Sequence, residues 1–269
     1  MLDTCESLLD QITIVHGPYD LLRRYFAVAD DITRRAGVQI RIHTDFRRLV
    51  ELNSRHQSSW TPMQPAFDPA HSRLRPDAAF WVEAVDEAGM TVATHAQRLF
   101  VWPTTTLEEE VRSLRLFYAD PAPHVAAGES MVITAPIGKR MTGRAMYGGV
   151  LWTHPDWRRR GLVRIVPRIA RAYGYTRWVP EYIFAFVEAK LSGIVPHASG
   201  PYTVEPGLIS RISFRDEFPA IIMWMTAETM LRDMTELVAQ EAADSERLME
   251  MPRMNSSPDL SVHGMSARS

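Results

Sequence analysis

The chain has 269 residues, 46% of them hydrophobic and 23% charged, the balance of a globular protein able to bury a real core. Its formal net charge of −2 provides no overall field to draw nucleic acid or an anionic membrane, so affinity for anions must come from local clusters. A single cysteine, Cys5, excludes an internal disulfide framework and reads as a structural thiol of a reducing cytoplasm rather than a nucleophile. The first residues lack a basic start followed by an apolar run, and no apolar run approaches the ~20 residues that span a bilayer. The expectation is a soluble cytoplasmic protein with neither nucleic acid nor membrane as partner.

In chain order, Pro18 opens a helix after Gly17, with Leu21, Leu22, Tyr25, Val28, Ala29 and Ile32 at helical spacing and Gly37 as its stop. Residues 38–42 alternate as a half-buried strand. Thr44 can cap a following helix that carries Phe46, Leu49, Val50 and Leu52. The proline-rich stretch from Thr61 to Pro76 reads as a long loop. Residues 79–85 and 90–101 are rich in strand formers and form a hairpin over the turn Asp86-Glu-Ala-Gly89. Thr106 begins a short helix with acids in its first turn, which complement the helix dipole. Residues 119–146 read as irregular apart from a strand at 131–134. A strand at 147–153, a helix at 161–178 and a buried strand at 182–188 follow. Residues 203–226 give a closing pair of strands, the second at 220–225. A last helix uses Met230, Leu231, Met234, Leu237 and Val238, and a disordered tail begins near Asn255.

The junction Thr153-His-Pro-Asp-Trp-Arg-Arg-Arg-Gly161 carries the most chemistry. Pro155 ends the strand because it donates no ladder hydrogen bond, and Gly161 permits a tight turn and close approach of a ligand to the backbone. Leu162, Ile165, Val166, Ile169 and Tyr173 fall on one face of the helix, and Arg164, Arg168 and Arg171 on the opposite one. The free amides at a helix start, joined by Arg158, Arg159 and Arg160, form a site suited to phosphate.

Thr153-His-Pro-Asp-Trp-Arg-Arg-Arg-Gly-Leu-Val163 resembles the acyl-CoA-binding motif of the GNAT superfamily of N-acetyltransferases, in which a strand is followed by Pro, an aromatic and then Arg/Gln-x-x-Gly-x-Gly/Ala. Pro155, Trp157, Arg158 and Gly161 occupy those places, and Val163 stands where the family has its second small residue. Gly174 resembles the stop of the family's helix, and residues 182–188 its next strand. Pro167 inside the helix and the length of 103–146 depart from the pattern.

The resemblance implies an α/β (α+β) fold, a mixed central sheet flanked by helices. Residues 1–37 would be a helical extension, 38–226 the acyltransferase domain with 103–146 inserted, and 227–269 a C-terminal helix and tail. It implies acetyl-CoA or another acyl-CoA as co-substrate, its pyrophosphate on the amides of Arg159, Arg160, Gly161, Leu162 and Val163 beside Arg158. The pantetheine arm would run along the strand that ends in Leu151, Trp152 and Thr153. It also implies acyl transfer, acetyl transfer in the first place, to a small amine, with Glu188 as base and Tyr202 as proton donor to the thiol. His95 and His197 are further candidates, and Glu83 and His95 share the hairpin in a register the sequence leaves open. The run Met223-Trp-Met225 reads as core, or else as the lining of an acyl or amine pocket. The histidines show no metal-ligand spacing, so no metal is expected. A homodimer is a further expectation, as is docking of an acyl carrier protein on the basic run 158–171. The competing reading is a non-catalytic GNAT-like binding or regulatory protein, motivated by Val163, Pro167 and the lack of an evident acid/base pair.

Overall fold

Local chemistry decides where the elements begin. In the computed structural model, which describes residues 7–211 and 218–250, Ser7 and Asp10 form a reciprocal capping box that opens α1 (Leu8–Gln11). Cys5 and the tail expected from Asn255 lie outside the described residues. Helix α2 (Tyr19–Arg35) starts directly after Pro18, and β1 (Gln39–His43) follows the turn at Gly37. The cap of α3 (Phe46–Arg55) is Asp45 rather than the expected Thr44. Its carboxylate accepts the Arg47 amide at 3.0 Å and also complements the helix dipole, which a hydroxyl does not. Strands β2 (Ala79–Val85) and β3 (Thr91–Trp102) form the expected hairpin.

The segment after β3 is more ordered than its composition suggested. It holds α4 (Leu107–Arg112), α5 (Ala122–Ala126), β4 (Ser130–Ile133) and α6 (Ile137–Arg140). Strand β5 (Gly143–Thr153) begins at Gly143 rather than Tyr147, because it pairs with β3 from Trp102↔Gly143 to Ala93↔Thr153. Next come α7 (Leu162–Trp178), β6 (Tyr182–Glu188), α8 (Val195–Ser199), β7 (Thr203–Arg211), β8 (Phe218–Thr226) and α9 (Ala227–Glu250).

The eight strands form one sheet in the order β1-β2-β3-β5-β6-β8-β7-β4. Every neighbouring pair is antiparallel except β5 and β6. Both faces are covered. On one, α1, α2, α7 and α9 pack through Leu22, Phe26, Ile169, Met230 and Met234 onto Phe80, Met146 and Ile183. On the other, α3, Trp60, Phe67 and the segment from Leu107 to Met141 cover Trp81, Tyr147 and Phe184.

Gly174 does not stop α7. It lies inside the helix, where a Cβ would stand 2.4 Å from Met146 Sδ, so its missing side chain lets α7 approach β5. The helix ends instead at Val179, which is left-handed at φ 45°. Pro167 sits within α7 without ending it. Among the described residues no helix is long and apolar enough to cross a membrane.

Candidate active site

The site begins where β5 and β6 part. They are bonded only from Ala145↔Tyr182 to Tyr147↔Phe184. Beyond that point β5 stays with β3 as far as Thr153, while β6 stays with β8 as far as Glu188. A bulge fixes the divergence. Thr94 pairs with Trp152 and Ala96 with Gly149, so Val150 and Leu151 together oppose His95. Val150 is left-handed at φ 56°, and its carbonyl accepts the Thr94 hydroxyl at 3.0 Å.

The opening is a cavity of about 620 Å³. Leu151, Trp152, Thr153, Arg158, Arg159, Gly161, Leu162 and Val163 all line it. Arg160 does not; its guanidinium lies over the Trp157 ring at 4.3 Å. Arg159 and Gly161 are left-handed, at φ 67° and 81°, and curl the chain before α7. The Gly161 carbonyl takes the amides of Arg164 and Ile165, at 2.9 and 3.3 Å. The first amides of α7 have no partner within the helix and so remain available to an anion. A Cβ on Gly161 would meet nothing within 4 Å, so the space over this turn is open. Val163 is part of the wall.

The basic face of α7 differs from the expectation. Arg158, Arg159, Arg160 and Arg164 are exposed, but Arg171 is 1% exposed and Arg168 half-buried. Helix α9 covers them: Arg168 holds Asp233 with two contacts of 2.9 Å, and Arg171 Nη2 reaches the same carboxylate at 3.5 Å. A carboxylate 65 residues along the chain leaves no signature in the periodicity of α7.

Glu188 lies on the cavity wall at the open end of β6, with Lys190 Nζ 2.6 Å from its Oε2. Tyr202 is not on the wall. It packs behind the wall residues Ala185, Val187 and Met223, and its hydroxyl accepts Arg171 Nη1 at 3.0 Å. Burial, partly offset by that guanidinium, raises its pKa and keeps it a phenol. His95 lines the cavity opposite the bulge. Burial, aided by the Arg171 charge, pushes its pKa down to about 3, so the imidazole is neutral. His197 is exposed on α8, away from the wall.

Glu83 and His95 do not form a pair. Glu83 is in register with Thr94, and its carboxylate is taken by His43 at 2.7 Å, Arg48 at 2.9 Å and Thr91 at 2.5 Å. Those hydrogen bonds and charges outweigh the cost of burial and lower its pKa. Met223 lines the cavity, whereas Met225 is core. Trp60, Met63, Gln64, Phe117 and Met131, none of them singled out from the sequence, also line the wall. They come from the proline-rich loop, with Trp60 just before it, and from the 103–146 segment, where no local pattern marks a pocket. Among the described residues no group of three or more His, Cys, Asp or Glu could hold a metal ion.

No family model matches the sequence, and no curated protein does. Several solved structures align with much of this chain at low identity. Arabidopsis thaliana NAA60 in complex with acetyl-CoA is 13% identical, with 71% of this chain and 99% of that one covered and a TM-score of 0.43. Spermidine N-acetyltransferase from Vibrio cholerae with CoA and spermine is 14% identical, covering 72% and 98%, with a TM-score of 0.42. The CoA-dependent acyl-homoserine lactone synthase BjaI, with SAM and isopentyl-CoA, is 14% identical over 85% and 87%, at 0.37. Among the described residues the strand order gives a mixed sheet flanked by helices, with its one parallel step at the open groove.

Proposed function

We propose that the protein is an acyl-CoA-dependent N-acyltransferase acting on a small amine. One observation carries this reading: the groove between β5 and β6 runs into the left-handed turn at Gly161 and the start of α7, which makes one continuous cavity. The residues fit the co-substrate. The space open above Gly161, the amides opening α7 and the guanidinium groups of Arg158 and Arg159 suit a pyrophosphate. The walls Leu151, Trp152 and Thr153 suit the pantetheine arm. Bound acyl-CoA supplies a thioester, whose acyl carbon forms a bond to the amine nitrogen as its bond to sulfur breaks.

Glu188 is assigned as the base. It stands on the wall and takes a proton from the ammonium, which frees the lone pair for attack. A second proton leaves the nitrogen as the amide forms and ends on the thiolate. Tyr202, expected as the donor of that proton, stands behind the wall and is given the role of supporting Ala185 and Val187 there. Neutral His95, facing the bulge, can accept or donate a hydrogen bond without adding charge.

The reading is tested by release of CoA thiol from acyl-CoA across a panel of small amines. Amine-dependent turnover supports it. Binding of CoA without turnover on any acceptor would favour the non-catalytic reading.

A further inference from the structure

We propose that the donor's acyl group is longer than acetyl, a medium-length alkyl or aryl chain that passes between β5 and β6 and ends under the segment 103–146. This deepens the acyl-CoA reading above and rests on it. The gap between the strands is bordered by Gly148, Gly149 and Ala185, and residues from both faces of the sheet line the same cavity. The cavity therefore reaches both faces of the sheet. Val163 and Met223 line it on the side of α7, Phe117 and Met131 on the other.

Polarity is graded along the groove. Its charged wall residues, Arg158, Arg159 and Glu188, stand at the open end, where β5 gives way to α7 and β6 stops. Toward the closed end the walls are Tyr147, Phe186, Phe117 and Met131, all from the aromatic and apolar layer covered by the segment 103–146. The Tyr147 hydroxyl is already committed, to Gln64 Oε1 at 2.8 Å. No carboxylate lines the closed end to neutralise an ammonium, which favours the acyl chain over the cationic end of the acceptor as its occupant. A methyl group would leave this apolar wall wet. A longer chain would dry it, and the unbranched Met131 can adjust around its end.

Calorimetric titration with CoA and with acetyl-, butanoyl-, hexanoyl- and octanoyl-CoA tests the proposal. Affinity is expected to rise about fourfold for each methylene that enters the pocket, then level off, with acetyl-CoA close to CoA itself. Met131→Trp should flatten the series by blocking the closed end, and Phe117→Ala should move its plateau to longer chains. If CoA binds but affinity is flat or falls from acetyl to octanoyl, the proposal is overturned and the acyl-CoA reading survives. If neither CoA nor any thioester binds, the reading falls and the proposal with it.

Discussion

The Thr94 hydroxyl donates to the Val150 carbonyl across 3.0 Å, clamping β5 at the residue where it carries one residue more than β3. That bulge turns β5 away from β6, so one side chain on a neighbouring strand helps to hold the groove open. Thr94→Val keeps the shape and removes the donor, leaving a buried carbonyl unsatisfied. We expect a loss of about 1–3 kcal/mol in denaturant unfolding and a raised KM for acyl-CoA.

Glu188→Gln keeps the size of the side chain and removes the base. The expected result is a fall in kcat of about 10²-fold or more, with calorimetric affinity for acyl-CoA maintained. Wild-type turnover in the variant would remove Glu188 from the chemistry.

His95 makes stability depend on pH in a definite direction. Its folded pKa is depressed to about 3 from an ordinary 6.5, first by burial and then by Arg171, so below the ordinary value the unfolded chain binds the extra proton. Stability from this group is present above pH ~6.5 and is lost as pH falls toward ~3. Between pH ~7.5 and pH ~5 the loss is about 2 kcal/mol. Comparing urea unfolding of the wild type and His95→Gln at the two pH values isolates the effect, since the other titrating groups are common to both. Equal pH dependence would show that His95 charges inside the fold.

Tyr202→Phe separates support from proton transfer. Removing the hydroxyl takes a partner from the buried Arg171 and should cost about 1–3 kcal/mol of stability, while kcat falls less than about tenfold. A kcat loss of about a hundredfold or more in a folded variant would make Tyr202 the thiol's proton donor.

The parts legible in the sequence were those written locally. Alternation gave β1, runs of strand formers gave β2, β3 and β6, and Gly161 with its arginines gave the turn that meets the cavity. What escaped depends on contacts between distant segments. Gly174 looked like a helix stop because its neighbour Met146 lies on another element. Arg171 looked solvated because Asp233, 62 residues away, is not part of the pattern of α7. The closed end of the groove draws Phe117 and Met131 from a stretch with no regular periodicity, so composition could not mark them as wall.

Titration of the full chain with CoA, beside Arg158→Ala and Arg159→Ala, tests the central claim most directly. Saturable binding in the micromolar range, weakened about tenfold in each variant and further by added salt, is the predicted result. Absence of binding at millimolar CoA, or affinity indifferent to both arginines, would contradict it.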